Sequence, residues 1–372
     1  MLPYTGDYIE HIEPGKNSLK FYSFTPRPLM RGHMYQMDDE LAALLIDAHR
    51  NIGFLEGLIK YAPNKEAFAE LMLLKECTYS RMIDYDNPDF KEILTSRGTG
   101  KGNISPIIDL EAAYRAALNM EICAPDLSRI CGIALYRESE DNPMSVRDHQ
   151  TFWLGAKTNL KGYNPTAPDA VLPALADISA YLYNDQNTDP LIKAALVHYQ
   201  FEMIHPFERY NGIVGRIIVP MMLSDTAREA KLLICLSEYL YHNKNEYFDL
   251  LRSTQFSGGY IRWIKFFINA VGQAAKQSTE QLVQYERIIE DLEHLLEIES
   301  FPKSVFSLYE YLKKSPIINS SIAAKSIGLS FNSILKAIRI LQENGIVVQI
   351  GDSERNRLWS YNLLMNNLIG EN

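Results

Sequence analysis

The stretch LIKAALVHYQFEMIHPFERYNGIVGR, residues 191–216, decides how the chain is read. Its first half is apolar and of helix length. Pro206 biases His205 away from the helical region, so the spacing predicts a helix that ends at His205. FERYNG reads as a short loop, and a second helix begins near Gly212. An imidazole thus stands at one helix exit, beside the N-terminus of the next helix, where free N–H groups and the helix dipole favour an anion. Arg216, one turn in, carries a guanidinium fork suited to phosphate. A base beside an anion cradle is the minimum equipment for attack on a phosphoryl group. The same stretch supports a second chemistry. His198, Glu202 and His205 fall at i, i+4 and i+7 on one helical face, a three-residue N/O set with an open position of the catalytic-zinc type. The plainer alternative is that His198 fills a helix interface.

Working outward, apolar residues recur three and four apart over 38–60, 65–83, 109–137, 170–183, 189–204, 212–224, 235–252 and 258–275, which predicts a mainly α body. Residues 1–30, rich in Pro, Gly and Tyr without a period, predict a surface loop. TSRGTGKGNISP (95–106) reads as a Gly-rich loop that fits neither the Walker pattern nor the dinucleotide fingerprint. Between 145 and 169 β-prone residues with Gly and Pro predict a hairpin flap, on which Gly155, Tyr163 and Asn164 would hold an extended target segment by strand addition. The acidic stretch 278–300 reads as a helical connector. The expected divisions are 1–108, 109–277, 278–300 and 301–372.

The tail reads differently from the body. Residues 305–314 predict a helix, Asn319 or Ser320 caps a second one ending near Gly328, and Ser330 caps a third that Gly345 terminates. IVVQI and LWSY then read as two strands around a polar loop, so the tail is expected to be a winged helix-turn-helix. Asn332, Lys336 and Arg339 on the third helix, with Arg355 and Arg357 on the wing, suit contacts in a DNA groove. A dimerisation or interaction module is the competing reading.

Composition bounds the rest. With 372 residues, 47% hydrophobic and 22% charged, the chain is of ordinary globular composition, which excludes disordered and collagen-like classes. The net charge of −9 argues against coating nucleic acid or anionic membrane. From residue 301 onward eight Lys/Arg stand against five Asp/Glu, so a +3 tail follows a −12 body. Four cysteines without a CxxC pair imply no disulfide framework and a reducing cytoplasm. Neither a signal peptide nor a membrane span is expected.

HPFERYNGIVGR (205–216), with the helix at 70–85 before it, the flap, YIRWIKFFINAV (260–271) after it and the winged tail, resembles the Fic family of protein nucleotide transferases. That family's motif is HPFxDGNGRxxR. The resemblance implies a helical bundle with a hairpin flap, and a histidine that deprotonates a target hydroxyl, which then attacks the α-phosphate of ATP and displaces pyrophosphate. His205 would be the base and Phe207 a core residue. Asn211 with the Gly212 backbone would hold the α-phosphate, and Gly215 and Arg216 would serve the outer phosphates. Three positions depart: Arg209 replaces the Mg²⁺-binding acid, Tyr210 a glycine and Ile213 an arginine. A guanidinium repels a cation, so Mg²⁺ is not expected, while Arg209 itself can clamp phosphate. Ser80 to Tyr85 resembles the family's inhibitory motif [S/T]xxxE[G/N], with Asp84 for the glutamate. An Asp84–Arg216 pair and a solvated Asp84 both fit. The expected function is binding of a nucleotide or other phosphate ligand, ATP among the candidates, at an eroded adenylyltransferase site in regulation or signalling. AMP transfer would be impaired or lost. An active adenylyltransferase using His205, and a non-catalytic DNA-binding regulator, are the alternatives. The partners expected are a nucleotide, a protein with an extended segment and, through the tail, DNA; a homodimer is compatible with the sequence, and a membrane is not expected.

Overall fold

Two long helices form the spine of the body. Helix α1 (Asp39–Tyr61) starts where the Asp38 side chain accepts the Leu41 N–H at 2.8 Å. It buries Leu41, Leu45, Ala48, Ile52, Leu55 and Ile59, a stripe three and four residues apart that seats it along the last body helix, Tyr260–Ile298. Gly272 lets the two approach, since a Cβ there would stand 3.1 Å from the Ala48 Cα. The computed structural model describes residues 5–12, 20–29, 34–85, 87–136, 143–152, 164–223, 231–298, 301–351 and 357–370.

Between those helices lie α2 (Lys65–Asp84), α3 (Phe90–Thr99), α4 (Ser105–Ala117), α5 (Ala124–Tyr136), α6 (Pro168–Asn184), α7 (Pro190–Ile204), α8 (Asn211–Met222), α9 (Leu236–His242) and α10 (Lys244–Ser257), so the Tyr260–Ile298 helix is α11. The centre of the body is α7 against α8, with α2, α4 and α5 around α8. Among the described residues, no helix is long and apolar enough to cross a membrane.

Two expectations are corrected. Residues Gly6–Ile12 (β1) and Lys20–Pro26 (β2) pair antiparallel, from Gly6 opposite Pro26 to Ile12 opposite Lys20, where a loop was expected. Burial of Phe24 and hydrogen bonds between the Phe24 backbone and the 164–166 segment fix β2 on the body. Residues 95–99 of the expected Gly-rich loop belong to α3, which begins at an Asp89/Glu92 capping box. α11 runs unbroken from Tyr260 to Ile298, across the start of the expected helical connector. Its acidic outer face read as a connector, but Leu282, Tyr285, Ile289, Leu292 and Leu296 continue the buried stripe.

The tail comprises α12 (Lys303–Lys314), β3 (Ile317–Asn319), α13 (Ser320–Ile327), α14 (Phe331–Glu343), β4 (Val348–Ile350), β5 (Leu358–Ser360) and α15 (Asn362–Ile369). Asn319 caps α13, Ser330 caps α14, and left-handed Gly328 ends α13. The strands form one antiparallel sheet in the order β3-β5-β4. Its first strand, between the first two helices, went unforeseen. The tail is docked on the body. Gln281 donates to the carbonyls of Asn367 and Leu368 at 2.9 and 3.2 Å, and Lys314 meets Glu70 at 3.2 Å.

Candidate functional site

α7 has no polar face: from Leu191 to Ile204 its described side chains are buried save Lys193, as expected of a helix threaded through a core. It ends at His205, whose backbone is left-handed (φ 52, ψ 63) as Pro206 redirects the chain. Phe207 is fully buried. Tyr210 is also left-handed (φ 67) and caps α8. Among the described residues these two alone of the non-glycines take positive φ, and they bracket the loop. Each costs about 1–2 kcal/mol, which the surrounding contacts offset.

Those contacts are specific. Asn211 Oδ1 accepts the Phe207 N–H at 2.8 Å and its Nδ2 donates to the Phe207 carbonyl at 2.7 Å. The amide expected to hold an α-phosphate is instead committed to closing the loop. Arg147, which the sequence reading passed over, is 5% exposed and binds the carbonyls of His205, Ile204, His149 and Thr166. Because its partners are all backbone, no carboxylate pattern in the sequence marks it.

The His205 Nδ1 lies 3.0 Å from the Glu202 carbonyl. A carbonyl only accepts, so Nδ1 carries the proton and Nε2 presents a lone pair. Burial pushes the pKa down to about 4, helped by the Arg147 charge and opposed by the Glu202 carbonyl and Asp84. The ring is therefore neutral at pH 7, as a base must be.

Opposite stands Arg216, 1% exposed. Its Nε donates to Ser80 Oγ at 2.9 Å, and Nη2 donates to the Ser80 carbonyl at 2.8 Å and to Asp84 Oδ2 at 2.6 Å. Burial disfavours its charge, but the Asp84 carboxylate leads the groups that more than compensate and hold the pKa above the ordinary arginine value. A Cβ at Gly212 would lie 2.8 Å from that Asp84 oxygen, so the carboxylate sits directly over the first turn of α8. Of the two readings of Asp84, the ion pair is the observed one. Tyr210 is held from the same helix. Its hydroxyl accepts from Arg81 Nη1 at 2.5 Å, and the guanidinium lies 5.1 and 5.6 Å from the Tyr85 and Tyr210 rings, whose centroids are 5.5 Å apart.

Other expected residues fall elsewhere. Gly215 is a packing residue: a Cβ would stand 2.2 Å from Glu202 Oε1, and its carbonyl receives the His198 Nδ1–H at 2.8 Å. His198 has its other nitrogen 2.9 Å from the Tyr247 hydroxyl and stacks on Trp263. Burial lowers its pKa to about 3. Both nitrogens are engaged, so the His198–Glu202–His205 metal reading is corrected to a helix interface. Among the described residues no group of three His, Cys, Asp or Glu is arranged to hold a metal. Glu202 is buried, and desolvation raises its pKa to about 8 against the opposing pull of Arg216. Arg209 is exposed, whereas Ile213 is fully buried. Asn164 is buried and donates to the Tyr22 carbonyl of β2 at 2.8 Å; Gly155 and Tyr163 of the expected flap lie outside the described residues. On α14, Asn332, Lys336 and Arg339 are all exposed, as is Arg357 beside β5; Arg355 lies outside the described residues.

Residues 123–223 match the Fic/DOC family profile, a span that holds α5 through α8 and the whole loop just described. Over that span the chain is similar to the Fic/DOC family. It is 38% identical over 64 residues to the protein adenylyltransferase fic-1 of Caenorhabditis briggsae, covering 16% of this chain and 12% of that protein. It is 24% identical over 202 residues to a probable protein adenylyltransferase of Aquifex aeolicus, covering 53% and 55% of the two chains. The chain thus matches about half, or much less, of the length of these curated relatives. The fold is that of a Fic-family protein from Desulfovibrio desulfuricans G20, at a TM-score of 0.55 and 16% identity over 89% of this chain and 98% of that one. The matched span holds His205, Arg209, Ile213 and Arg216.

Proposed function

We propose that the gap between His205 and the first turn of α8 is a nucleotide-phosphate site, derived from an adenylyltransferase and held shut by α2, and that the protein serves in regulation with AMP transfer impaired. One observation carries this reading. A carboxylate, Asp84, occupies a helix N-terminus and a buried guanidinium at once, which is the place and the charge of a phosphate. Ser80 completes the grip on Arg216, so opening α2 would free three donors together with the amides of α8.

With the site open, His205 Nε2 takes the proton of a target hydroxyl, Arg216 holds the phosphate oxygens, and the α8 dipole offsets the charge that develops. Magnesium does not fit. Arg209 stands at the motif's acidic position and repels a cation, so no step runs through the metal. The motif's first arginine position is filled by buried Ile213, which leaves Arg216 and the exposed Arg209 as the phosphate-binding cations. That poverty of charge supports impaired transfer.

Calorimetric titration of ATP, ADP and AMP into the full chain tests the reading. Asp84→Asn should tighten binding about tenfold or more, and Arg216→Ala should remove it. Absence of saturable binding by Asp84→Asn sinks the proposal. Labelled ATP with and without Mg²⁺, with His205→Ala as control, reports any residual transfer.

A second reading concerns the tail, whose first three helices and sheet we read as a winged helix-turn-helix. Asn332, Lys336 and Arg339 share one exposed face of α14, which supports DNA contact. Equal retention on a DNA column after Lys336→Ala and Arg339→Ala would remove it.

A further inference from the structure

Arg147 lies well before the HPF loop, yet its side chain meets that loop at its most constrained point. Nε donates to the His205 carbonyl at 2.7 Å and Nη2 to the Ile204 carbonyl at 3.1 Å, while the Arg147 N–H donates to the Pro206 carbonyl at 3.0 Å. The same guanidinium reaches the His149 carbonyl with Nη1 at 3.0 Å and the Thr166 carbonyl with Nη2. His149 precedes the flap region and Thr166 follows it. One buried cation therefore ties the end of α7 to the backbone at His149 and at Thr166.

The physical consequences are direct. The last carbonyls of a helix have no helical donors and carry its negative end. Guanidinium offers five donors in a plane, enough for four carbonyls where lysine's point charge is not. By fixing the Ile204 and His205 carbonyls it also fixes the left-handed backbone of His205, a conformation that costs a non-glycine residue free energy. We propose that Arg147 is the positioning residue for the candidate base, setting the His205 backbone and locking it to the His149 and Thr166 segments. The inference takes its catalytic meaning from the reading of His205 as a base, but its test reads the histidine and not nucleotide binding, so the two can fail separately.

The charges facing His205 are Arg147, Asp84 from α2 and, through its carbonyl, Glu202 from α7. Without the guanidinium the exposed carbonyl end of α7 favours imidazolium. Histidine NMR on the full chain, from about pH 3 to 8, follows the His205 ring in wild type, Arg147→Met and Arg147→Lys. In Arg147→Met the midpoint should climb from about 4 toward the ordinary value of 6.5, and the ring should populate both neutral tautomers. Arg147→Lys should fall between, and His198, bonded to Gly215 and Tyr247, should not move. A folded Arg147→Met with an unchanged His205 midpoint and tautomer overturns the proposal. Should both variants unfold, the wild type decides: the Arg147 Nε–H resonance should shift with the His205 midpoint, and a flat resonance overturns the proposal equally.

Discussion

A glycine inside a helix destabilises it by about 1 kcal/mol relative to alanine, unless the missing Cβ is what lets something approach. Two glycines of this chain fall on opposite sides of that rule. Gly53 lies on the outer face of α1, where a Cβ would meet nothing within 4 Å, so Gly53→Ala should raise stability by about 0.5–1 kcal/mol in urea unfolding. At Gly215 the same methyl would collide with Glu202 Oε1 between α7 and α8. Gly215→Ala should lower stability by about 1–3 kcal/mol, since overpacking forces the helices apart. Glu202 makes a pH prediction. Its pKa is about 8 in the fold against 4.5 ordinarily, so the folded chain holds a proton that the unfolded chain gives up. The contribution is full below 4.5 and is lost as pH rises through 8. His205 and His198, depressed to about 4 and 3, act in the opposite window: their contribution is present above 6.5 and is lost as pH falls through those values. Urea midpoints at pH 6 and 8.5 should drop for wild type and drop less for Glu202→Gln, which stays neutral; equal drops would refute the assignment. The sequence announced Gly215 and Asn211 as phosphate residues because the motif names them. Their packing and loop-closing contacts become visible only when α7 and the loop are folded against them.

At the scale of elements, what was legible followed one rule: a signal was readable when cause and effect lay close together in the chain. His205–Pro206 ends α7 locally, Ser330 caps α14 locally, and both were read. The β1–β2 hairpin depends on Phe24 burying against the body and on Asn164 far along the chain, so its turn-rich composition misled. α11 combines a local and a distant signal. Its acidic outer face suggested a connector, yet Tyr285 and Tyr309 tie residues 278–298 to the tail, with hydroxyls donating to the Lys313 and Ile289 carbonyls at 3.3 Å. A linker would be cut by protease, whereas this helix should not be. Limited trypsin digestion should leave Arg287 intact on a time scale that removes exposed loops, and early cleavage there would restore the connector.

Across the whole molecule, α2 has the most to connect. Its last turn carries Ser80, Arg81 and Asp84 onto the candidate pocket, and its first half meets the tail through Glu70 and Lys314. Midway, Lys75 is fully buried against Glu238 at 2.7 Å and reaches Gln281, which holds the α15 carbonyls. The exposed Glu70–Lys314 pair is worth about 0–1 kcal/mol and cannot dock the tail alone. The tighter joint is at α3, where a Cβ on Gly98 would stand 1.8 Å from the Ile317 carbonyl oxygen of β3. Backbone meets backbone there, so no side chain can swing aside. Any larger residue must lift the tail or bend α3. Calorimetry should therefore show body and tail unfolding in one transition in wild type. Gly98→Val should split off a lower-temperature transition from the tail while Asn332, Lys336 and Arg339 stay chemically intact. A single unshifted transition in that variant would mean that the tail is held by α11 and α2 without α3, and that the close approach at Gly98 carries no docking energy.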